Sequence, residues 1–457
     1  MNLDNFLGRI YEESCWLQSQ GRQSENIYTL EQYSVQSLNT LGLAYCATGV
    51  YFDKAIECFK DALKIDTGNW ILWSNICHAY SLMEDHENSL EAAMNAIKTS
   101  RGVSFDPFYN AGVALTSLNK IPEAIAMYEI ALELKPNHCH ANYNYGLCKL
   151  RMNLCQDGWE KYENRFITNP LTGKFKQRFL APDWDGRKLK GKKLLVYSEQ
   201  GLGDFIFYAR FLPLLKEFGA TVVVEVQEQL VPILGENLKI DELISRKNDR
   251  NWPEPIESDY VISIASLPKI FKVDSKEKVP KDPYVFASNK PKPDFYLDEK
   301  LKIGLCWCGN SDHQRDHTRS MFVEQFSPLT EVSNAQFFGL VKGVNKSRKW
   351  PNGVVNLFKG IENFPMINLE NQIKDFGDLM HYINHLDLVI TVDTGLAHLA
   401  GAMGKKTWVL LGSEVDWRWG YNKETTPWYP NVRLFNKKDT WENLVQEVLQ
   451  ELKKESI

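Results

Sequence analysis

Between residues 37 and 166 one spacing governs the chain. A small residue returns at Gly42, Cys77, Gly112 and Gly146, at intervals of 35, 35 and 34. Small and aromatic positions return in step: Ser89, Ala93 and Ala96, then Ala124, Tyr128 and Ala131, then Gly158 and Tyr162. Ala55, Phe59 and Ala62 make the first set, with one extra residue before them. A unit of this length is a helix pair that buries its apolar face only against the next pair, so the array must stack as a solenoid. Small residues let paired helices approach closely, and Tyr45, Trp73 and Tyr128 are expected to fill the gaps between them. Pro136 closes the third unit. In the fourth, Lys149 and Arg165 stand where apolar or small residues belong, which suits a terminal unit facing another domain. The first domain is therefore placed at 1–166.

Composition narrows what such a chain does. Of 457 residues, 44% are hydrophobic and 24% charged, which is ordinary globular usage. A net charge of −5 and a pI near 6.1 exclude a nucleic-acid binder that relies on bulk positive charge. No apolar run approaches the roughly 18 residues of a membrane span. The opening MNLDNFLGRIYEESCW carries acids early and does not read as a secretory signal. Nine cysteines, an odd number, fit reduced thiols in the cytoplasm. Cys306-Trp-Cys308 and His138-Cys139-His140 lack a second half-site, so both are expected to be structural and no metal site is expected.

Residues 167–193 hold Pro170, Gly173, Pro182, Gly186 and Gly191 among many basic side chains, and read as a solvated connector. From Leu194 the period changes. Apolar, β-branched runs occur at Leu194–Ser198, Val222–Val226, Tyr260–Ile264, Ile303–Trp307, Phe337–Val341, Leu388–Val392 and Thr407–Leu411. Alternation with helical stretches predicts two doubly wound α/β domains, 194–295 and 296–457, with their boundary in Asn289–Asp298. Ligands of such domains bind beyond the carboxyl ends of the strands, here in the cleft between the two domains.

Two turns stand out. In LVITVDTGLAHLAGAMGKKTWVLLG a strand ends at Val392 and a helix is expected from Leu396 to Met403. Free backbone N–H groups near Gly395 and Leu396, with the helix dipole, would make an anion site. Thr394 would add a hydroxyl, and His398 is one turn inside the helix. The other turn is VYSEQGLGDFIFYAR, Val196–Arg210. Its Gly201-x-Gly203 begins a dinucleotide fingerprint, yet Ile206 replaces the next required glycine. Asp204 would repel a phosphate there, although a carboxylate at a helix N-terminus also suits a simple cap. The glycines are expected to let an acceptor approach the backbone, with Asp204 aimed into the cleft.

Further blocks join these: PDWDG (Pro182–Gly186), SEQGLGD (Ser198–Asp204), CWCGNSDHQRDHTRS (Cys306–Ser320), VDTGLAHLAGAMGK (Val392–Lys405), and DWRW with PWYP (Asp416–Trp419, Pro427–Pro430). With the repeat spacings Leu-Gly-x-x-Tyr and Ala-x-x-x-Tyr, the chain resembles tetratricopeptide-repeat glycosyltransferases with a heptosyltransferase-like (family 9) catalytic region. The resemblance implies an α plus α/β architecture, a solenoid followed by the two Rossmann-like domains of a GT-B fold. The acceptor would be held mainly by the first α/β domain and a nucleotide-diphosphate sugar by the second. It further implies Asp204 as general base, an acceptor-side loop of Gln200, Gly201 and Gly203, and donor contacts at Asn310, Arg315, Arg319, Asp393, Thr394, Gly395 and His398. Heptosyltransferases commonly carry hydroxyls and a lysine where this chain has Asn310, Arg315 and Arg319. No Asp-x-Asp lies at a strand end in either α/β half, which fits a metal-independent transfer without a cofactor, with positive charge supplied by protein. Partners are then the donor and a protein or glycan acceptor. The repeats would either hold that acceptor or pair with a second copy. Two other classes remain: a different GT-B enzyme such as a nucleotide-sugar epimerase, and an idle scaffold.

Overall fold

A computed structural model describes residues 23–199, 201–247, 257–288, 290, 291, 293, 299–311, 313, 316–341, 347–350 and 353–455. The chain divides into two compact units, Met1–Cys148 and Lys149–Ile457.

The first unit is helical: α1 (Gln23–Ala47), α2 (Phe52–Ile65), α3 (Trp70–Leu82), α4 (His86–Thr99), α5 (Phe105–Ser117), α6 (Ile121–Leu134) and most of α7 (Cys139–Met152). The recurring small residues do what their spacing requires. A Cβ on Gly42 would lie 2.5 Å from Phe59 Cε1, and one on Gly112 would lie 2.6 Å from Tyr128 Cε1. Phe59 and Tyr128 are fully buried in those gaps. Cys77, in the middle pair, instead offers its carbonyl to the Ser89 hydroxyl at 3.0 Å. Tyr45 and Trp73 are only half-buried and pack at the rim of the core. Asn69 and Asp85 cap α3 and α4, accepting from Ile71 N and Asn88 N.

The second unit opens with α8 (Gln156–Tyr162), α9 (Arg165–Thr168) and α10 (Pro170–Lys176), and then carries two sheets. The first sheet is wholly parallel in the order β3-β2-β1-β4, with β1 at Lys193–Tyr197, β2 at Thr221–Gln227, β3 at Glu242–Arg246 and β4 at Tyr260–Ser263. Helix α11 (Leu202–Tyr208) leaves β1, and the short α12 (Leu267–Ile270) follows β4. The second sheet runs β12-β13-β11-β10-β5-β6-β9. Its strands are β5 (Leu301–Cys306), β6 (Ala335–Gly339), β9 (Met366–Asn368), β10 (Leu388–Val392), β11 (Thr407–Leu411), β12 (Thr425–Thr426) and β13 (Tyr429–Asn436). All are parallel except β12, and β7 (Ser347–Trp350) with β8 (Gly353–Asn356) forms a separate hairpin. Its helices are α13 (Asp316–Arg319), α14 (Phe376–Asn384), α15 (Gly395–Ala402) and α16 (Trp441–Glu455). Both sheets have the doubly wound order expected of near-continuous apolar strands. The order reverses between β1 and β4 in one sheet and between β5 and β10 in the other, and ligand crevices open at such reversals.

Residues 149–166, expected in the solenoid, group with the second unit. Trp159 is buried there and its Nε1 donates to Val273 O at 2.6 Å. Arg165, out of place in a repeat, lies among Glu163, Glu199 and Ser266. The stretch expected as a solvated connector also does structural work. Phe175 and Phe179 cover the Leu195 and Tyr197 face of the first sheet. Arg178 pairs with the wholly buried Glu225 at 2.6 Å, beside Arg246 at 2.8 Å. Trp184 N donates to Val261 O, and Val261 N to Pro182 O, so PDWDG lies along β4. Arg187 and Lys176 do remain at the surface in exposed ion pairs.

Candidate functional site

The two glycine turns meet. Gly203 lies in the first turn of α11 and Gly395 begins α15, and a Cβ on Gly203 would stand 3.1 Å from Gly395 Cα and 3.3 Å from His398 Cδ2. Gly203 therefore lacks a side chain where one helix N-terminus abuts the other. Gly201 serves Asp204 in the same way, since a Cβ there would meet Asp204 Oδ2 at 2.2 Å. Gln200 and Arg315 fall outside the described residues.

Asp204 makes no capping hydrogen bond on α11. Arg418 Nη2 donates to its Oδ1 at 2.7 Å. The carboxyl keeps 46% of its side-chain surface open. Burial by the surrounding walls pushes its pKa up, while the Arg418 charge pulls it back. Arg418 is itself 7% exposed. Its Nη1 donates to Asp416 Oδ1 at 2.9 Å, its Nη2 also approaches the Tyr208 hydroxyl at 3.4 Å, and its buried Nε has no partner. Nothing in the residue spacing singled out Arg418; only its DWRW block pointed to this stretch.

On the other side, β10 ends at Val392 and Thr394 caps α15, accepting from Leu396 N at 3.3 Å. That bond takes the Leu396 N–H expected to be free, and the Thr394 hydroxyl is buried beside Thr391 at 3.4 Å. Gly395 N remains at the helix start. Burial, and then the charge of Asp416, raise the Asp393 carboxyl to a pKa of about 6. His398 departs furthest from expectation. It is 6% exposed, stacks on Trp419 at 5.0 Å and 7°, and shares a 3.1 Å contact between Nδ1 and the Tyr429 hydroxyl. Burial and the Arg418 charge push its pKa down to about 3, so its ring is neutral at ordinary pH.

Arg319 comes from the loop after β5. Asp316 anchors that loop, accepting from Ser320 Oγ at 2.7 Å, from Trp350 Nε1 at 3.3 Å and from Arg348. A Cβ on Gly412, just past β11, would collide with Thr318 O at 1.7 Å, so the backbone of α13 rests directly on that glycine. Arg319 Nη1 donates to Asp393 O at 3.2 Å, and its buried Nε has no partner. Asn310 is exposed in the loop that follows β5. The cleft thus gathers Asp204, Asp393 and Asp416 with Arg319 and Arg418 around two abutting helix starts. Arg210, 2% exposed, locks this junction by donating to Phe207 O at 2.8 Å and Trp428 O at 2.6 Å.

Residues 363–454 match the family model for glycosyltransferase family 9 (heptosyltransferase), and residues 105–138 match that for a tetratricopeptide repeat. The first match takes in Asp393, Thr394, Gly395, His398, Asp416 and Arg418. Protein FlbA of Caulobacter vibrioides is 24% identical over 410 residues, covering 84% of this chain and 66% of FlbA, a little under two thirds of that relative. An O-GlcNAc transferase mutant of Thermobaculum terrenum aligns with 93% of this chain and 92% of its own, at 12% identity and a TM-score of 0.34. The first TPR domain of human RPAP3 aligns with 29% of this chain and 97% of its own, at 24% identity and a TM-score of 0.25. Among the described residues no helix is long and apolar enough to cross a membrane.

Proposed function

We propose that the chain is a glycosyltransferase that moves a sugar from a nucleoside diphosphate sugar to a protein or glycan acceptor, with Asp204 as general base. One observation carries the reading: the Gly203–Gly395 contact brings an accessible carboxylate against the start of a helix in the family 9 segment. Asp204 accepts the proton of the acceptor hydroxyl as its oxygen bonds to the anomeric carbon. The bond from that carbon to the diphosphate breaks, and its electron pair leaves with the diphosphate. Gly395 N–H and the Arg319 guanidinium receive the leaving charge. Asn310 and Asp393 line the donor side, and Arg315, five positions beyond Asn310 in the sequence, is assigned to the donor with them. Positive charge from these side chains makes the transfer metal-independent, so activity should persist in excess EDTA. The repeats hold the acceptor. None of the eight described cysteines is in a disulfide, which suits a cytoplasmic setting.

The test begins with melting curves in UDP, GDP, ADP and CDP, followed by a sugar-donor screen read by mass spectrometry of modified proteins and glycans. Stabilisation by one nucleotide, and a loss of about 10²-fold or more in transfer by Asp204→Asn, is expected. Indifference to all four nucleotides would sink the reading. Undiminished transfer by the variant would sink the base assignment.

A further inference from the structure

Arg418 has no assigned part in the reaction, yet it is the one described cation that touches Asp204. It belongs to the DWRW turn of the second half, and Asp204 to the first helix of the other half. The pair therefore bridges the cleft. Its two ends differ: the arginine is buried, while the carboxylate is nearly half open. The neighbouring Trp419 stacks on His398 of α15, which places the guanidinium's own turn against that helix. Asp416 fixes Nη1, and Nε is buried with no acceptor. The group that faces the cleft is Nη2, shared between Asp204 and the Tyr208 hydroxyl, and a second anion arriving there competes with Asp204 for it. A carboxylate already paired with such a cation is a poor proton acceptor.

We propose that Arg418 is a positioning residue that holds Asp204 as an ion pair until a nucleoside diphosphate sugar enters, and that the diphosphate then draws the guanidinium away and frees Asp204. The proposal rests on the glycosyltransferase reading. No bond is made or broken in this step; one ionic partner replaces another, and the base is released only when a leaving group is in place. Free water then meets a restrained carboxylate when no donor is bound, which guards against idle proton transfer.

The two anions compete for one cation, so their affinities are linked. Removing the charge of Asp204 must tighten diphosphate binding, and the gain must vanish once Arg418 is gone. The probe is whichever of UDP, GDP, ADP or CDP shifts the melting curve of the full chain, titrated by calorimetry without turnover. Asp204→Asn should bind it on the order of 3- to 30-fold more tightly, and Arg418→Gln about 10-fold or more weakly. The double variant should bind like Arg418→Gln. Unchanged or weaker binding by Asp204→Asn overturns the proposal while leaving the glycosyltransferase reading in place, and no binding of any nucleotide by the wild type overturns both. If Arg418→Gln does not fold, Arg418→Lys replaces it in the same cycle, and an Asp204→Asn gain as large in that background as in the wild type overturns the proposal.

Discussion

Asp393 carries a charge that its surroundings resist. Burial and the nearby Asp416 carboxylate raise its pKa to about 6, against about 3.9 in an unfolded chain. The folded protein thus holds a proton that the unfolded chain has already released between those values. That contribution to stability is complete below about pH 4 and is lost as pH rises through about 6. Asp393→Asn should therefore raise the melting temperature at pH 7.5, by an amount worth on the order of 1–2 kcal/mol, with the advantage shrinking toward pH 5. A scan of both proteins across that range checks the sign. Single residues were unevenly legible. Asp204 stood out because a carboxylate occupies a place where phosphate would be repelled. Arg418 did not, because its meaning depends on a partner 214 positions away. His398 looked like a ligand by its distance along the helix, but Trp419 and Tyr429 enclose it, and a neutral ring costs less to bury than an ion.

Elements were legible where burial is two-sided. The central strands β1, β2, β5, β10 and β11 are almost unbroken apolar runs, and each lies within a residue or two of its expected place. Besides the β7–β8 hairpin and the two-residue β12, the strands that escaped notice are β3, β9 and β13. The first two are sheet edges with one ladder partner each, and β13 mixes Asn431 and Arg433 into its run. Edge and rim strands answer to solvent on one side, and their pattern blurs accordingly. The helix contact between α11 and α15 leads to an asymmetric prediction. Gly203→Ala should cost on the order of 1–3 kcal/mol and reduce activity, because its methyl group meets backbone and an enclosed ring. Gly395→Ala, whose methyl group would stand 3.7 Å from Gly203, should melt close to the wild type. Equal melting of the two variants would show that the helices are free to separate.

At the scale of the whole chain, the described cleft residues all lie in 149–457, so a fragment starting at Lys149 should fold and bind the same nucleoside diphosphate as the intact protein. A fragment starting at Ile167 should not. It lacks Trp159, and it leaves Glu199, only 13% exposed at its side chain, without Arg165. Losing one partner of a buried ion pair costs about 3–5 kcal/mol. Circular dichroism and nucleotide titration of both fragments check this. The repeat period announced the solenoid plainly, but it could not mark where the array gives way. The fourth unit still spells a repeat while its side chains serve another core.

The glycine contact between α11 and α15 also serves as a gauge. Backbone meets backbone there, and the Arg210 bond to Trp428 O and the Phe207–Trp428 ring pair hold the same seam. The carboxylate and the helix start beside it therefore keep one spacing.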